Sequence, residues 1–267
     1  MSVSSAATNS APGFAKHPHY EVTLEPCAKR LRVLFNGETI ADSTGVMLLR
    51  ETGILPVYYF PTGDLRQDLL EPSDHSSYCP FKGEASYWSV VVEGKRAENA
   101  LWGYERPYDE VAELADYRAF YWDRVDKWLE EDEEVFVHAR DPRVRLDILD
   151  SSRAVTVRLG GEVVAESSRA RFLFETGLPV RYYLPEADVR FDLLEPSARH
   201  SECPYKGRAR YWSARVGEQL YGDIVWAYPD PLPESTRIKD YLCFFNEKVE
   251  AILVDGVEQP RPKTKWS

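Results

Sequence analysis

Residues 51–90 read ETGILPVYYFPTGDLRQDLLEPSDHSSYCPFKGEASYWSV, and residues 175–214 read ETGLPVRYYLPEADVRFDLLEPSARHSECPYKGRARYWSA. Set side by side at an offset of 175 − 51 = 124, without a gap, 23 of the 40 positions are identical. Asp68 to Ser73 returns unchanged as Asp192 to Ser197, Cys79-Pro80 as Cys203-Pro204, Lys82-Gly83 as Lys206-Gly207, and Tyr87-Trp88-Ser89 as Tyr211-Trp212-Ser213. A period of this length is far above that of a solenoid repeat and matches a small domain, so the chain reads as one domain duplicated.

The register holds outside the quoted stretch. Trp102, Tyr104 and Pro107 match Trp226, Tyr228 and Pro231; Tyr117, Phe120 and Val125 match Tyr241, Phe244 and Val249. Upstream, Pro18, Val33 and Gly37 match Pro142, Val157 and Gly161. The expected organisation is a disordered Ser/Ala/Pro-rich tail over residues 1–16, a first domain over 17–129, and an acidic linker over 130–140. A second domain over 141–259 and a basic tail over 260–267 follow. The charge run Glu130-Glu131-Asp132-Glu133-Glu134 suits a solvated linker.

Within one copy the pattern is that of short strands. Asn36-Gly37 stands between Leu31 to Phe35 and Glu38 to Ala41, a strong hairpin signal because both residues tolerate positive φ. Gly160-Gly161 holds the same place between Ala154 to Leu159 and Glu162 to Ala165. Val57 to Phe60, Ala85 to Val92, Ala100 to Tyr104 and Tyr117 to Trp122 read as further strands, with a helical turn within Asp64 to Leu70. Tyr117 to Glu131 also fits a helix. Prolines 72, 80 and 107 exclude long helices around them. Six or more such strands between Pro/Gly turns imply a mainly β fold with little helix, an antiparallel sandwich or open barrel.

Composition narrows the function classes. Lys+Arg minus Asp+Glu is 33 − 44 = −11, and an acidic surface repels phosphate backbones and anionic bilayers, so neither nucleic acid nor a membrane surface is an expected partner. The longest apolar runs, such as Ala251 to Val254, are about four residues, against the roughly 20 of a membrane helix. The N-terminal stretch lacks the apolar segment of a signal peptide, which reads as a cytoplasmic protein. The four cysteines, Cys27, Cys79, Cys203 and Cys243, are dispersed and form no CxxC pair, so neither a disulfide scaffold nor a zinc knuckle is expected. No cofactor and no metal are called for.

The run from Asp68 to Trp88, with Leu-Glu-Pro-Ser, Cys-Pro-Phe-Lys-Gly and Tyr-Trp-Ser, resembles the bacterial and fungal family known as domain of unknown function 427. Trp102, Tyr104 and the Tyr117-to-Phe120 segment fit the same pattern, and the resemblance covers residues 17–128 and 141–256. It implies two tandem β-tent-like domains, a shape shared with methionine sulfoxide reductase B, yippee-type proteins and the ligand domain of cereblon. The zinc-binding CxxC pairs of many such relatives are missing here, so a metal site does not carry over. The family is sometimes labelled nucleotidyltransferase-like. This chain shows no Gly-rich phosphate loop and no clear carboxylate pair beside one, so the resemblance supplies a fold and leaves function open.

The residues that carry candidate chemistry recur in both copies. Cys79 and Cys203 each precede proline and have lysine three places on. A nearby ammonium would favour the thiolate, which makes them candidate nucleophiles; the competing reading is a small buried side chain in a tight loop. His75 is a candidate base, although its register partner is Arg199 and the nearest histidine of copy two is His200. Arg66, Glu71, Ser73 and Lys82, with Arg190, Glu195, Ser197 and Lys206, outline a charged rim in which the glutamates pair with the arginines or the lysines; a structural ion pair is the bland alternative. Tyr87, Trp88 and Trp102, with Tyr211, Trp212 and Trp226, are candidate walls of an aromatic pocket, since only one of Tyr87 and Trp88 can face a core; Tyr104 and Tyr228 belong to the same aromatic groups, and core filling is the competing reading. Trp122 and Trp128 fall near the expected linker and suggest an inter-domain contact.

Three functions follow from these residues. The first is a module that binds a small molecule in each copy. The second is an enzyme that uses the Cys-Pro-x-Lys-Gly loop. The third is an interaction scaffold, in which the tandem copies form an intramolecular pseudo-two-fold pair within a monomer.

Overall fold

The computed structural model describes residues 9–267, and the chain divides into two units after Ala139. In the first, a short helix α1 (Pro12–Lys16) precedes β1 (Val22–Pro26), β2 (Leu31–Phe35), β3 (Glu38–Ser43), β4 (Met47–Glu51), β5 (Val57–Pro61) and β6 (Leu70–Cys79). There follow β7 (Gly83–Val92), β8 (Lys95–Gly103), β9 (Tyr117–Phe120), β10 (Lys127–Glu130) and β11 (Glu133–Val135). The second repeats the set as β12 (Leu146–Asp150), β13 (Val155–Leu159), β14 (Glu162–Ser167), β15 (Arg171–Glu175), β16 (Arg181–Pro185) and β17 (Leu194–Cys203). It closes with β18 (Gly207–Val216), β19 (Gln219–Ala227), β20 (Tyr241–Phe244), β21 (Ala251–Val254) and β22 (Val257–Glu258). Helix is confined to α1 and single 3-10 turns, of which Asp109–Asp116 and Pro233–Ile238 are the longest.

Each unit holds a seven-stranded and a four-stranded antiparallel sheet. The first unit orders them β1-β4-β5-β9-β8-β7-β6 and β11-β10-β2-β3, and the second gives the same orders strand for strand. The mainly β fold and its duplication are as the sequence implies. The hairpins turn where expected: Asn36 and Gly37 sit at φ 49° and 81°, Gly160 and Gly161 at 61° and 82°, the left-handed region a two-residue primed turn requires. Tyr117–Phe120 lies between β5 and β8 as a strand, so the helical alternative does not form. The reason is its two-residue alternation: Ala119 and Phe120 pack into different clusters on opposite faces of the sheet.

Both faces of the large sheet are packed in the first unit. Tyr58 and Phe60 of β5, Leu101 of β8 and Phe120 of β9 meet Leu31, Val33, Phe35 and Trp128 of the small sheet. On the opposite face Tyr59, Tyr87, Tyr104 and Ala119 pack under Val111 and Leu114 of the Asp109–Asp116 turn. The large sheet thus has a sandwich face and a tyrosine face. Strand β6 runs straight through Pro72, which is tolerated because β6 is an edge. A register shift between Pro72 and Ser76 arches Ser73 to His75 out of the ladder.

The segments expected to be tails and linker are more structured than their polarity suggests. Of the tail expected over 1–16, residues 1–8 lie outside the described residues, and the rest is held down. Gly13 N–H donates to Pro80 O at 2.9 Å, and a Cβ there would meet the Phe81 ring at 2.6 Å. The acidic run expected to be a linker is instead the β10–β11 hairpin. Glu130 is buried in it, accepting a hydrogen bond from Tyr58 Oη at 2.7 Å and an ion pair from Lys29. Charge density misled because alternate residues of the run point to opposite faces. Trp122 and Trp128 stack on each other at 4.1 Å against the core of the first unit and belong to no linker. The expected tail over 260–267 docks too: Arg261 donates to Val249 O at 2.8 Å, and Thr264 Oγ1 to Glu247 Oε1 at 2.7 Å.

Candidate functional site

The tyrosine face gathers several of the residues picked from sequence. β7 and β8 pair Tyr87 with Trp102, which puts both rings on one face. The Trp102 indole donates to Tyr59 Oη at 3.2 Å and lies 4.4 Å from the Tyr121 ring. Tyr87 Oη shares a hydrogen bond with Ser77 Oγ at 2.7 Å and contacts the Tyr121 hydroxyl. His75 covers Tyr87 edge-on at 4.4 Å, a use of its ring as a lid over an aromatic. Burial raises the phenols: Tyr59 and Tyr104 go far above the ordinary range, and Tyr121 is pushed up to about 12 by burial and then by its contact with Tyr87. At neutral pH these hydroxyls are neutral hydrogen-bonding groups.

Beneath them lies an ion pair. Lys82 follows β6 in the turn to β7, and its ammonium meets Glu51 at the end of β4; both side chains are nearly buried. Tyr20 Oη donates to the other carboxylate oxygen of Glu51 at 2.9 Å, and the Tyr20 ring stacks on Phe81 at 3.8 Å. The second unit rebuilds the core of this arrangement. Lys206 pairs with Glu175 at 2.5 Å with similar burial, Trp226 donates to Tyr183 at 3.2 Å, and Tyr211 bonds Ser201 at 2.6 Å. Glu51 and Glu175 were not singled out from the sequence as partners, although Glu-Thr-Gly is repeated in both copies.

The expected charged rim does not assemble. Arg66 pairs with Asp68 at 2.6 Å and Arg190 with Asp192 at 2.7 Å, two residues along the same turn. Glu71 of β6 takes Arg96 of β8, reaching across β7, and Glu195 takes Arg215 of β18 at 2.6 Å. These are exposed pairs, and such pairs contribute little. Ser73 and Ser197 accept the backbone N–H of His75 and Arg199 at 3.0 Å each, closing the arch in β6 and β17. The glutamates therefore pair with neither Arg66 nor Lys82, because β6 presents Glu71 on an exposed edge while Lys82 turns inward.

Trp88 and Trp212 lie on the sandwich side, opposite Tyr87 and Tyr211, packed against the main cores. Trp88 borders a cleft of about 490 Å³ together with Arg118, a residue that sequence reasoning passed over because copy two has Leu242 there.

Cys79 and Cys203 end β6 and β17 and are half-buried. Cys79 borders the tyrosine layer. The lysine three residues on does not serve the thiol: its ammonium belongs to the glutamate. His75 is likewise committed to Tyr87. Cys243, unlike these two, is fully buried, and burial drives its thiol far above the usual range. Among the described residues no group of three or more His, Cys, Asp or Glu side chains converges as a metal ion would require.

The second unit carries a feature with no counterpart. Arg181 replaces Val57 and makes a two-pronged pair with Glu247, 2.7 Å at each contact, with the carboxylate fully buried. Its guanidinium lies 5.5 Å from the rings of both Trp226 and Trp266.

No curated protein matches the sequence. The family model described as a domain of unknown function (DUF427) matches residues 23–131 and again residues 147–255. The two matched stretches take in nearly all of both sheets in each unit, and the repeated Lys–Glu pair and tyrosine layer fall within them. The chain therefore belongs to that domain-of-unknown-function family, with two copies in tandem.

Proposed function

We propose that the chain binds a small molecule at the tyrosine face of each unit. The observation that carries this reading is the repeated buried lysine–glutamate pair under a layer of neutral phenols and an indole. A buried pair is no more stabilising than apolar residues of the same size would be, so its retention in both copies favours a role in recognising a polar ligand. Hydroxyls at the edge of the layer, from Ser77, Tyr87 and Tyr121 in the first unit, supply donors and acceptors, and the rings supply flat walls. The test is a thermal-shift screen of the full chain over a metabolite collection. A ligand at 100 times its Kd adds about 2.7 kcal/mol to the unit it binds, a shift of several degrees. A hit that Y87F or Y211F abolishes supports the reading, and a screen without stabilising compounds overturns it.

A thiol enzyme is the second reading, favoured by the placement of Cys79 and Cys203 at equivalent half-buried strand ends. Its test is pH-dependent alkylation followed by mass spectrometry. A thiol that reacts with a pKa well below about 8.5 supports catalysis, and two slow thiols leave them structural.

A further inference from the structure

Copy one has an arginine-lined cleft whose key residues differ in copy two. Arg118 of β9 stands over the Trp88 ring, its Cζ 4.5 Å from the ring centre, with an eighth of its side chain exposed. Nη1 donates to Ala115 O at 3.0 Å and Tyr117 O at 2.9 Å, which fixes the plane of the group. The other edge is only loosely engaged: among the described residues neither Nε nor Nη2 has a hydrogen-bond acceptor, and Nη2 makes one long ion pair, 3.8 Å, with Glu105, which also accepts a bond from Ser86. The backbone is cut to fit this arginine. A Cβ on Gly103 would come 2.3 Å from Arg118 Cδ and 2.8 Å from Nε, and Gly103 is not in the left-handed region, so the missing side chain itself is what the position requires.

Arg118 lines the 490 Å³ cleft together with the apolar Leu65, Leu70 and Trp88 and the acidic Glu105 and Asp116. That volume lies in the range of small-molecule sites. Copy two is a built-in control. Its register partners are Leu242 for Arg118, Ala227 for Gly103 and Pro229 for Glu105, and Phe191, which replaces Gln67, packs against Trp212 at 6.3 Å.

We infer that the first unit binds a small zwitterion of the α-amino-acid type in this cleft, its carboxylate on the Nε–Nη2 edge of Arg118 and its ammonium toward Glu105 and Asp116. The two-donor edge of a guanidinium matches a carboxylate in geometry as well as charge. Two carboxylates beside one arginine disfavour a dianion such as phosphate and accept an ammonium. The apolar wall takes an aliphatic or aromatic side chain. This site lies on the face opposite the tyrosine layer, so it stands or falls apart from the reading above.

The test titrates the full chain with L-leucine and L-phenylalanine by calorimetry, with 4-methylpentanoate, isoamylamine and inorganic phosphate as comparators. The expected result is saturable binding of an amino acid, weaker binding of 4-methylpentanoate and none of isoamylamine or phosphate. R118L installs the residue copy two carries in the same fold, and a melting curve checks that it folds; R118K keeps the charge and removes the fork. Binding should weaken at least 10-fold in R118L and about 10-fold in R118K, the scale of one to two charge-assisted hydrogen bonds. The inference is overturned if neither amino acid binds at about 10 mM, if phosphate or isoamylamine binds as well as leucine, or if both Arg118 variants bind unchanged.

Discussion

The two units share strand order, hairpin turns and the Lys–Glu pair, and they part at the ends of the chain. In the first, the segment before β1 covers the ion pair: Tyr20 bonds Glu51 and stacks on Phe81, and α1 leans on the same ring. In the second, Val144 stands where Tyr20 does, and the segment after β22 closes the tyrosine face from another side, through Thr264, Trp266 and the Arg181–Glu247 pair. The strands are held by register on two packed faces, so a change there disturbs many contacts. Terminal segments touch one patch each and differ wholesale between the copies, whereas within the strands the differences are single exchanges such as Val57 for Arg181 and Arg118 for Leu242.

The largest effect should come from the pair unique to the second unit. E247A leaves Arg181 charged and buried, a loss of about 3–5 kcal/mol, read as an earlier transition for the second unit in urea followed by tryptophan fluorescence. R181V/E247A restores the apolar residue that copy one uses at this place, Val57, and should return to within about 1 kcal/mol of the native chain. The pH dependence follows. Burial pushes the Glu247 carboxyl up, but the hydrogen bonds from Arg181 and Thr264 outweigh it and the folded value lies below the usual range. A depressed carboxylate stabilises above its unfolded value of about 4.3 and loses that contribution as pH falls through the folded value. The native chain should therefore lose stability in the second unit below about pH 4, and E247A should lose less over the same interval. Equal acid sensitivity in the two proteins would refute the assignment.

The shared pair offers the next comparison. K206M strands Glu175, whose carboxylate has no other partner among the described residues, and should cost about 3 kcal/mol. K82M removes the same ammonium, but Tyr20 still donates to Glu51, so the first unit should lose about 1.5 kcal/mol less. Equal losses would mean that Tyr20 contributes nothing. Smaller again is W266A, which uncovers one side of Arg181 and should cost about 1–2 kcal/mol in the second unit with the first unchanged.

Much of this layout was legible in the sequence. The Asn36-Gly37 and Gly160-Gly161 turns, the alternation through Val57 to Phe60 and the duplicated Tyr-Trp-Ser strand all obey local rules. The Cys79 and Lys82 positions were visible as repeated residues. What could not be read was partnership. Glu51 and Lys82 are 31 residues apart and meet because β4 and the β6–β7 turn end at the same side of the sheet, which spacing does not reveal. The acidic run at Glu130 to Glu134 looked like a linker because nothing local marks Glu130 as the acceptor for Tyr58. Arg118 was not legible because it belongs to one copy alone, with Leu242 in its place in the other, so the repeat does not mark it.

The finest comparison turns one unit into the other. Y20F removes the single hydroxyl that distinguishes the surroundings of Glu51 from those of Glu175, while keeping the ring on Phe81. The hydroxyl donates to a carboxylate, and a hydrogen bond to a charged group contributes about 1.5 kcal/mol or more. Y20F should therefore destabilise the first unit by about 1.5 kcal/mol and leave the second untouched. In the Y20F background K82M should cost what K206M costs in the native chain, because Glu51 then has the same company as Glu175. The coupling energy of the Y20F/K82M cycle measures this directly. A coupling near zero would show that Tyr20 acts only through its stack on Phe81, and the difference between the two ion pairs would then have to lie in the packing of the N-terminal segment and not in its hydroxyl.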